Sequence, residues 1–297
     1  MPGRESEVKF FSEYQEVHGT MCVPDGSPPY PAVALLHGYG AFRDELTGYV
    51  ELAALLAEHG IASLRFDFRG CGESGEAGRL HPHDDWVEDT LCALSFLEAR
   101  SDIAGSRLGV VGMSVGGGIA VQAAALDDRV CCAVALAPVA DGGWWLKHLW
   151  TTSQGETGWH DFLGQVRHAR RERVATGMST KVPIESILAY GPDDLAAHRA
   201  MHEKYPQFAT HAYYTSVESL LQFQPRQFVH KIRPRPIRFI HSLTDTSVPI
   251  EHSYELFGRA GHIRDLQVIH DSPHCFWIGP ESRHVQELTV DWLSRYL

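Results

Sequence analysis

The chain has 297 residues, a formal net charge of −11 and a pI near 5.9. This length allows a sizeable buried core, and the acidity argues against a nucleic acid or an anionic membrane surface as the main partner. No stretch approaches the roughly 18 apolar residues of a membrane span, and the first residues lack an apolar signal region. We therefore predict a cytoplasmic protein that acts on a small neutral or modestly charged molecule.

Cysteine and histidine usage gives no sign of a metal or disulfide framework. The six cysteines are spread along the chain without a C-x-x-C pair, which favours free thiols in a reducing compartment. The segment 81–85, His-Pro-His-Asp-Asp, looks like a metal cluster, but its proline prevents helical i, i+4 spacing. We predict a solvated loop there, leading into a helix N-terminus, and neither a metal nor an organic cofactor.

Strand-like and helix-like segments alternate through the first half of the chain. Residues 8–23 alternate enough to form an antiparallel hairpin at a sheet edge. The elements predicted after it are strand 32–37, helix 45–59, strand 61–66, helix 84–99, strand 107–111, helix 119–125 and strand 130–137. This order predicts an α/β fold with a mostly parallel, doubly wound sheet and right-handed crossovers.

The alternation breaks near residue 142 and resumes at residue 236. We predict a core of residues 1–141 and 236–297, with residues 142–235 inserted as a helical cap over the carboxyl edge of the sheet. Within the cap, residues 184–188 look helical and the basic run 167–173 is typical of a solvated helix face. The core is predicted to resume with strand 236–241, helix 250–258, strand 266–270 and helix 281–296.

Residues 112–116 read Gly-Met-Ser-Val-Gly and fit the pattern G-x-S-x-G. In this pattern the serine lies at a strained strand-to-helix turn, and its hydroxyl projects from the backbone. The flanking glycines let the strand and the helix approach without Cβ clashes. Because a predicted strand precedes the turn and an alanine-rich helix follows it, the context indicates Ser114 as a nucleophile.

A serine nucleophile needs a histidine base and a carboxylate that orients the histidine. Hydrolases built on this turn carry the partners downstream in the order Asp or Glu, then His, each on a loop after a core strand. Asp245 follows predicted strand 236–241, and His274 follows predicted strand 266–270. We therefore predict a triad of Ser114, Asp245 and His274.

Other residues fit these roles less well. The competitors are Asp193 and Asp194 inside the insertion, Glu251 at a predicted helix start and His270 at the end of an apolar strand. Cys275 beside His274 suggests a Cys-His nucleophile pair. Neighbours in sequence seldom bring their side chains into that contact, so the serine remains the preferred nucleophile.

Five motifs in this order resemble the α/β-hydrolase superfamily, in its esterase-like branch near the cinnamoyl (feruloyl) esterases and the dienelactone-hydrolase and prolyl-oligopeptidase catalytic domains. They are residues 37–45, residues 67–75, the serine turn, the Asp245 loop and the His274 loop. The resemblance implies an α/β-hydrolase fold and an oxyanion hole made by the backbone N–H groups of Tyr39 and Val115. It also implies structural roles for His37, Asp67 and Arg69.

Together these features predict a serine hydrolase that cleaves a carboxylic ester or thioester through an acyl-enzyme. The aromatic residues of the insertion fit a bulky apolar or aromatic acyl group, with Tyr39, Trp144 and Trp145 as candidate contacts. The same triad also supports a peptidase or amidase, an acyltransferase, a cyclase or a C–C hydrolase. A catalytically inactive ligand receptor is the alternative of another class. The sequence leaves the oligomeric state open and is compatible with a homodimer.

Overall fold

The computed structural model describes residues 3–297, apart from the side chains at positions 192–194, 197 and 198. The strands are β1 (Arg4–Ser12), β2 (Gln15–Val23), β3 (Tyr30–Leu36), β4 (Ala62–Phe66), β5 (Ile103–Met113), β6 (Val130–Leu136), β7 (Lys181–Pro183), β8 (His211–Tyr213), β9 (Ile237–Ser242) and β10 (Arg264–Ile269). The helices are α1 (Gly48–Glu58), α2 (Val87–Glu98), α3 (Val115–Leu126), α4 (Gly142–Thr176), α5 (Pro192–Lys204), α6 (Tyr214–Gln222), α7 (Glu251–Arg259) and α8 (Ser282–Tyr296).

Eight strands form the main sheet in the order β1-β2-β4-β3-β5-β6-β9-β10. The hairpin of β1 and β2 pairs antiparallel with β4, and the other strands run parallel, so the predicted edge hairpin and parallel sheet are confirmed. Alternate side chains of β3 enter two separate apolar clusters, one packed under α2 and α3 and the other under α1 and α8. The sheet is therefore covered on both faces, as the α/β-hydrolase fold requires.

Two helix starts differ from the sequence-based prediction. The helix predicted from residue 45 begins only at Gly48, because Glu45, Leu46 and Thr47 adopt left-handed backbone conformations. Before α2, residues 82–86 form a single π-helical turn instead of a solvated loop. The Asp85 side chain of this turn is buried, and its Oδ2 atom lies 3.3 Å from Nε of Arg79 and 3.4 Å from Nδ1 of His81. These contacts indicate a structural role for this acid.

Residues 142–235 contribute no strand to the main sheet among the described residues. They form α4, α5 and α6 and a separate antiparallel pair of β7 and β8. Helix α4 is interrupted at Gly155, whose φ is 71°. The segment predicted to be helical at 184–188 has only a 3-10 turn at Ile184–Ser186. The division into a core and a cap stays a prediction.

Several smaller expectations can be compared with the fold. The basic run of α4 is a helix face, on which Arg170 and Arg173 pair with Glu218. All six cysteines are unpaired. Among the described helices, none combines the length and the apolar character needed to cross a bilayer.

Candidate active site

Ser114 lies between the end of β5 and the start of α3. Its φ of 59° and ψ of −120° are a strained combination for a residue with a side chain. A Cβ at Gly112 would overlap the carbonyl of Gly116, and a Cβ at Gly116 would overlap the carbonyl of Leu36. Glycine is thus required at both positions for the strand, the turn and the helix to pack this closely.

The structure brings the three predicted triad residues together. The Nε2 atom of His274 is 3.0 Å from the Oγ atom of Ser114, and its Nδ1 atom is 2.6 Å from the Oδ2 atom of Asp245. Because a carboxylate can only accept, a neutral His274 carries its proton on Nδ1. Its Nε2 lone pair is then free to accept the hydroxyl proton of Ser114.

The carboxylate of Asp245 is buried and held from three directions. Its Oδ1 atom accepts hydrogen bonds from the backbone amides of Ser247 (2.9 Å) and Val248 (2.8 Å). His241, which the sequence analysis did not identify, places Nε2 3.3 Å from Oδ2. Burial alone would raise the pKa of Asp245, but His274 and the hydrogen bonds from both histidines hold it well below its usual range.

The competing residues do not occupy these positions. Glu251 is the first residue of α7, and His270 is exposed beyond the end of β10. The side chains of Asp193 and Asp194 lie outside the described part of the chain. Burial raises the pKa of the Cys275 thiol, so that it stays protonated, while His274 is turned towards Ser114. The alternative of Cys275 and His274 as a nucleophile pair is therefore not supported.

The backbone N–H groups of Tyr39 and Val115 border the serine turn. Val115 is the first residue of α3, where an N–H has no partner inside the helix. Within the described residues, neither amide donates a hydrogen bond to another protein group. A Cβ on Gly38 would lie 3.5 Å from the Cβ of Ser114, so the turn that carries Tyr39 runs directly beside the serine.

His37 braces this turn from below. Its Nδ1–H donates to the Gly38 carbonyl at 2.8 Å, and its Nε2 accepts the Phe68 amide proton at 3.1 Å. Burial lowers the pKa of His37 to about 4, which keeps the ring neutral and fits this arrangement of one donor and one acceptor. The predicted structural role of His37 is consistent with these contacts.

The contacts of Asp67 and Arg69 are likewise consistent with the structural roles predicted for them. Asp67 accepts from the Arg43 backbone amide (2.7 Å) and guanidinium (2.8 Å), and Arg69 bonds the buried carboxylate of Asp89 at 2.5 Å. Neither side chain borders the cavity at Ser114. Among the described residues, no group of three His, Cys, Asp or Glu side chains is arranged to hold a metal ion.

Two adjoining cavities lie at the triad. The smaller, about 90 Å³, is lined by Ser114, Tyr39 and Trp145, and the larger, about 450 Å³, shares His274 and Met201 with it. Residues from the 142–235 segment thus form part of the wall. The position of Met201 in both cavity walls was not predicted from the sequence, because Met201 belongs to none of the recognised motifs.

Trp144 does not reach either cavity. Its ring stacks on the buried ring of His252, with the two centres 3.9 Å apart. Trp145 borders the smaller cavity instead, and its Nε1–H donates to the Ser247 carbonyl at 2.8 Å. Successive helix residues project about 100° apart, so one helix start cannot present both indoles to the same cavity. The prediction that Trp144 contacts the substrate is therefore wrong.

Comparisons with known proteins agree with this fold. The profile of the family described as serine aminopeptidase, S33 (Hydrolase_4) matches residues 27–281. The chain is an α/β hydrolase of this family. The hydrolase is 28% identical over 281 residues to an uncharacterized 31.7 kDa protein encoded in the traX-finO intergenic region of Escherichia coli, covering 94% of this chain and 95% of the relative.

Two fungal proteins are also similar to the hydrolase. Thiohydrolase aneE of Aspergillus aculeatus is 22% identical over 319 residues, covering 99% of this chain and 96% of the relative. Polyketide transferase grgF of Penicillium sp is 23% identical over 276 residues, covering 90% of this chain and 88% of the relative. The crystal structure of the α/β hydrolase GrgF from Penicillium sp. sh18 matches with a TM-score of 0.82 at 22% identity, over 99% of each chain.

Proposed function

We propose that this hydrolase cleaves a carboxylic ester or thioester by a serine mechanism with an acyl-enzyme intermediate. The observation that carries the proposal is the continuous hydrogen-bonded chain from Ser114 through His274 to Asp245, at 3.0 and 2.6 Å. A serine hydroxyl is a weak nucleophile unless an adjacent base accepts its proton, and this chain supplies that base.

The reaction follows from these contacts. The Oγ atom of Ser114 attacks the carbonyl carbon of the substrate while its proton passes to Nε2 of His274, and Asp245 stabilises the imidazolium that forms. The N–H groups of Tyr39 and Val115 bind the tetrahedral oxyanion. His274 then protonates the departing alcohol or thiol, and the acyl group stays on Ser114. Finally, His274 activates a water molecule that releases the carboxylic acid.

The cavity walls support a bulky apolar or aromatic acyl group. The larger cavity falls within the usual range of small-molecule sites, about 300 to 1,000 Å³, and its wall includes Leu46, Met201, Tyr205 and Ile278. Such side chains favour apolar carbon over charge. We propose a small-molecule acyl ester or thioester as the partner, and the expectation of a cytoplasmic protein without nucleic-acid or membrane partners stays a prediction.

Acyl transfer is the second candidate function. Ser114 is only 7% exposed, which limits access of bulk water to an acyl-enzyme at this position. One relative is described as a polyketide transferase and another as a thiohydrolase, and both activities are compatible with an acyl group carried on a serine. Partition of the acyl group between water and an added alcohol or amine separates hydrolysis from transfer.

A substrate panel with a nucleophile variant tests the proposal. The panel comprises p-nitrophenyl esters, acyl thioesters and aminoacyl amides, assayed with the wild type, Ser114→Ala and Ser101→Ala, whose serine is exposed. We expect the esters or thioesters to be turned over, kcat to fall by about a million-fold in Ser114→Ala, and Ser101→Ala to behave as wild type.

Labelling by a fluorophosphonate gives a second readout. The probe should label the wild type and Ser101→Ala but not Ser114→Ala. If only the aminoacyl amides are turned over, the proposed esterase activity is wrong and the enzyme is a peptidase. A folded wild type that is neither labelled nor active would overturn the serine mechanism in favour of a ligand receptor.

A further inference from the structure

Glu45 is a buried acid that the mechanism above does not use. It is 5% exposed and borders the smaller cavity together with Ser114 and His274. Its Oε1 atom accepts the backbone N–H of Gly38 at 3.0 Å. Its Oε2 atom is also buried and has no hydrogen-bond partner among the described residues. The carboxyl group is therefore attached to the turn beside the nucleophile by one of its two oxygens.

The backbone at Glu45 is bent to reach this position. Glu45, Leu46 and Thr47 have φ values of 35°, 59° and 70°, although none of them is a glycine. Such conformations persist only where surrounding contacts enforce them, and they concentrate at functional sites. A regular helical turn in these residues would need negative φ values and would give the carboxyl group a different direction.

Among the described residues, no lysine or arginine forms an ion pair with Glu45. Arg43 pairs with Asp67 instead, and Arg65 pairs with Glu5 and Asp44. The titratable groups near Glu45 are His274 in the wall of the same cavity, the Tyr49 phenol of α1 and the Cys275 thiol after β10. Burial raises the pKa of the phenol and of the thiol, so both stay neutral. Burial likewise raises the pKa of Glu45 to about 8, against a smaller lowering by the Gly38 hydrogen bond.

A negative charge at Glu45 would oppose the reaction. A Cβ atom added to Gly38 would lie 3.0 Å from Oε1 of Glu45 and 3.5 Å from Cβ of Ser114. Gly38 is thus the one residue between the acid and the nucleophile. The oxyanion of the tetrahedral intermediate would form beside an ionised carboxylate and be repelled by it. The repulsion would be much weaker in the ground state, in which the carbonyl oxygen carries little charge.

We propose that Glu45 is a positioning residue, which holds the Gly38–Tyr39 turn, and with it the Tyr39 amide, against Ser114 in the form of a neutral acid. The inference rests on the proposed function, because it assigns Glu45 to the oxyanion that Ser114 creates. It adds a group that must keep its proton for the reaction to proceed.

The test compares pH profiles of kcat and KM for the wild type, Glu45→Gln and Glu45→Leu. Glutamine can accept the Gly38 N–H but cannot ionise, whereas leucine can do neither. We expect the wild-type kcat to fall from about pH 8 upwards, and this fall to be absent in Glu45→Gln. Glu45→Leu should lose about tenfold or more in kcat with little change in KM, and Glu45→Gln should restore most of that loss. Glu58→Gln, an exposed position of α1, is the matched control.

Two results would overturn the inference. One is an alkaline fall in Glu45→Gln that matches the wild type, and the other is a wild-type kcat in folded Glu45→Leu. If Glu45→Leu does not fold, the Glu45→Gln profile alone decides. Fluorophosphonate labelling separates the two proposals: a labelled enzyme indifferent to Glu45 refutes only the positioning role, and an unlabelled, inactive wild type refutes the serine mechanism.

Discussion

Replacing Asp245 by asparagine tests the orientation of His274. The backbone amides of Ser247 and Val248 both donate to Oδ1, so the asparagine oxygen is expected to stay there. The NH₂ group then faces Nδ1 of His274 and donates to it, which moves the imidazole proton to Nε2. A protonated Nε2 cannot accept the proton of Ser114.

The expected loss is large because the replacement fixes the wrong tautomer. An equivalent change in a serine triad lowers kcat by about 10⁴, which corresponds to about 5.5 kcal/mol in the activation free energy. The assay is kcat on the best ester of the panel, with circular dichroism and thermal unfolding as folding controls. Asp271→Asn, an exposed acid shortly before His274, is the matched control and should retain wild-type kcat. A loss below about tenfold in Asp245→Asn would refute this orienting role.

Three further predictions concern packing, the cavity wall and pH. Gly116→Ala should destabilise the fold by about 3 kcal/mol or more in urea unfolding, because its Cβ meets backbone, whereas Gly258→Ala, with open space in α7, should stabilise by up to about 1 kcal/mol. Trp145→Phe should raise KM several-fold while Trp144→Phe leaves it unchanged, and equal effects would contradict the assigned wall. Because folding raises the pKa of Glu45 from 4.5 to about 8, the wild type loses stability between these pH values. Glu45→Gln should therefore be more stable by about 3 kcal/mol at neutral pH, and equal melting temperatures at every pH would contradict the burial argument.

The sequence predicts the fold well where hydrophobic runs alternate with helical segments. Buried parallel strands such as β3 and β6 are continuous apolar runs, because both faces of the sheet are covered. Local patterns fail where tertiary contacts override backbone preference. Residues 45–47 look helical, yet contacts beneath the Gly38 turn hold them in left-handed conformations.

Some residues of the site can likewise be predicted from the sequence, whereas others depend on tertiary contacts. Ser114, Asp245 and His274 are recognisable because each follows a core strand in a fixed order, and parallel strands bring those loops to one edge of the sheet. His241 and Glu45 were missed because their roles depend on burial and on contacts with distant loops. The i, i+4 spacing of His241 and Asp245 was the one local signal available. The choice between Trp144 and Trp145 likewise depends on the exact helix start, which a sequence pattern does not define.

The proposed mechanism requires a covalent acyl group on Ser114. Mass spectrometry of peptides from enzyme quenched in acid during turnover of a slow ester measures it directly. We predict an adduct with the mass of the acyl group on the peptide that contains Ser114, absent from Ser114→Ala and lost as substrate is exhausted. Steady hydrolysis without an adduct, or with an adduct only at another residue such as Cys275, would contradict a mechanism through acyl-Ser114.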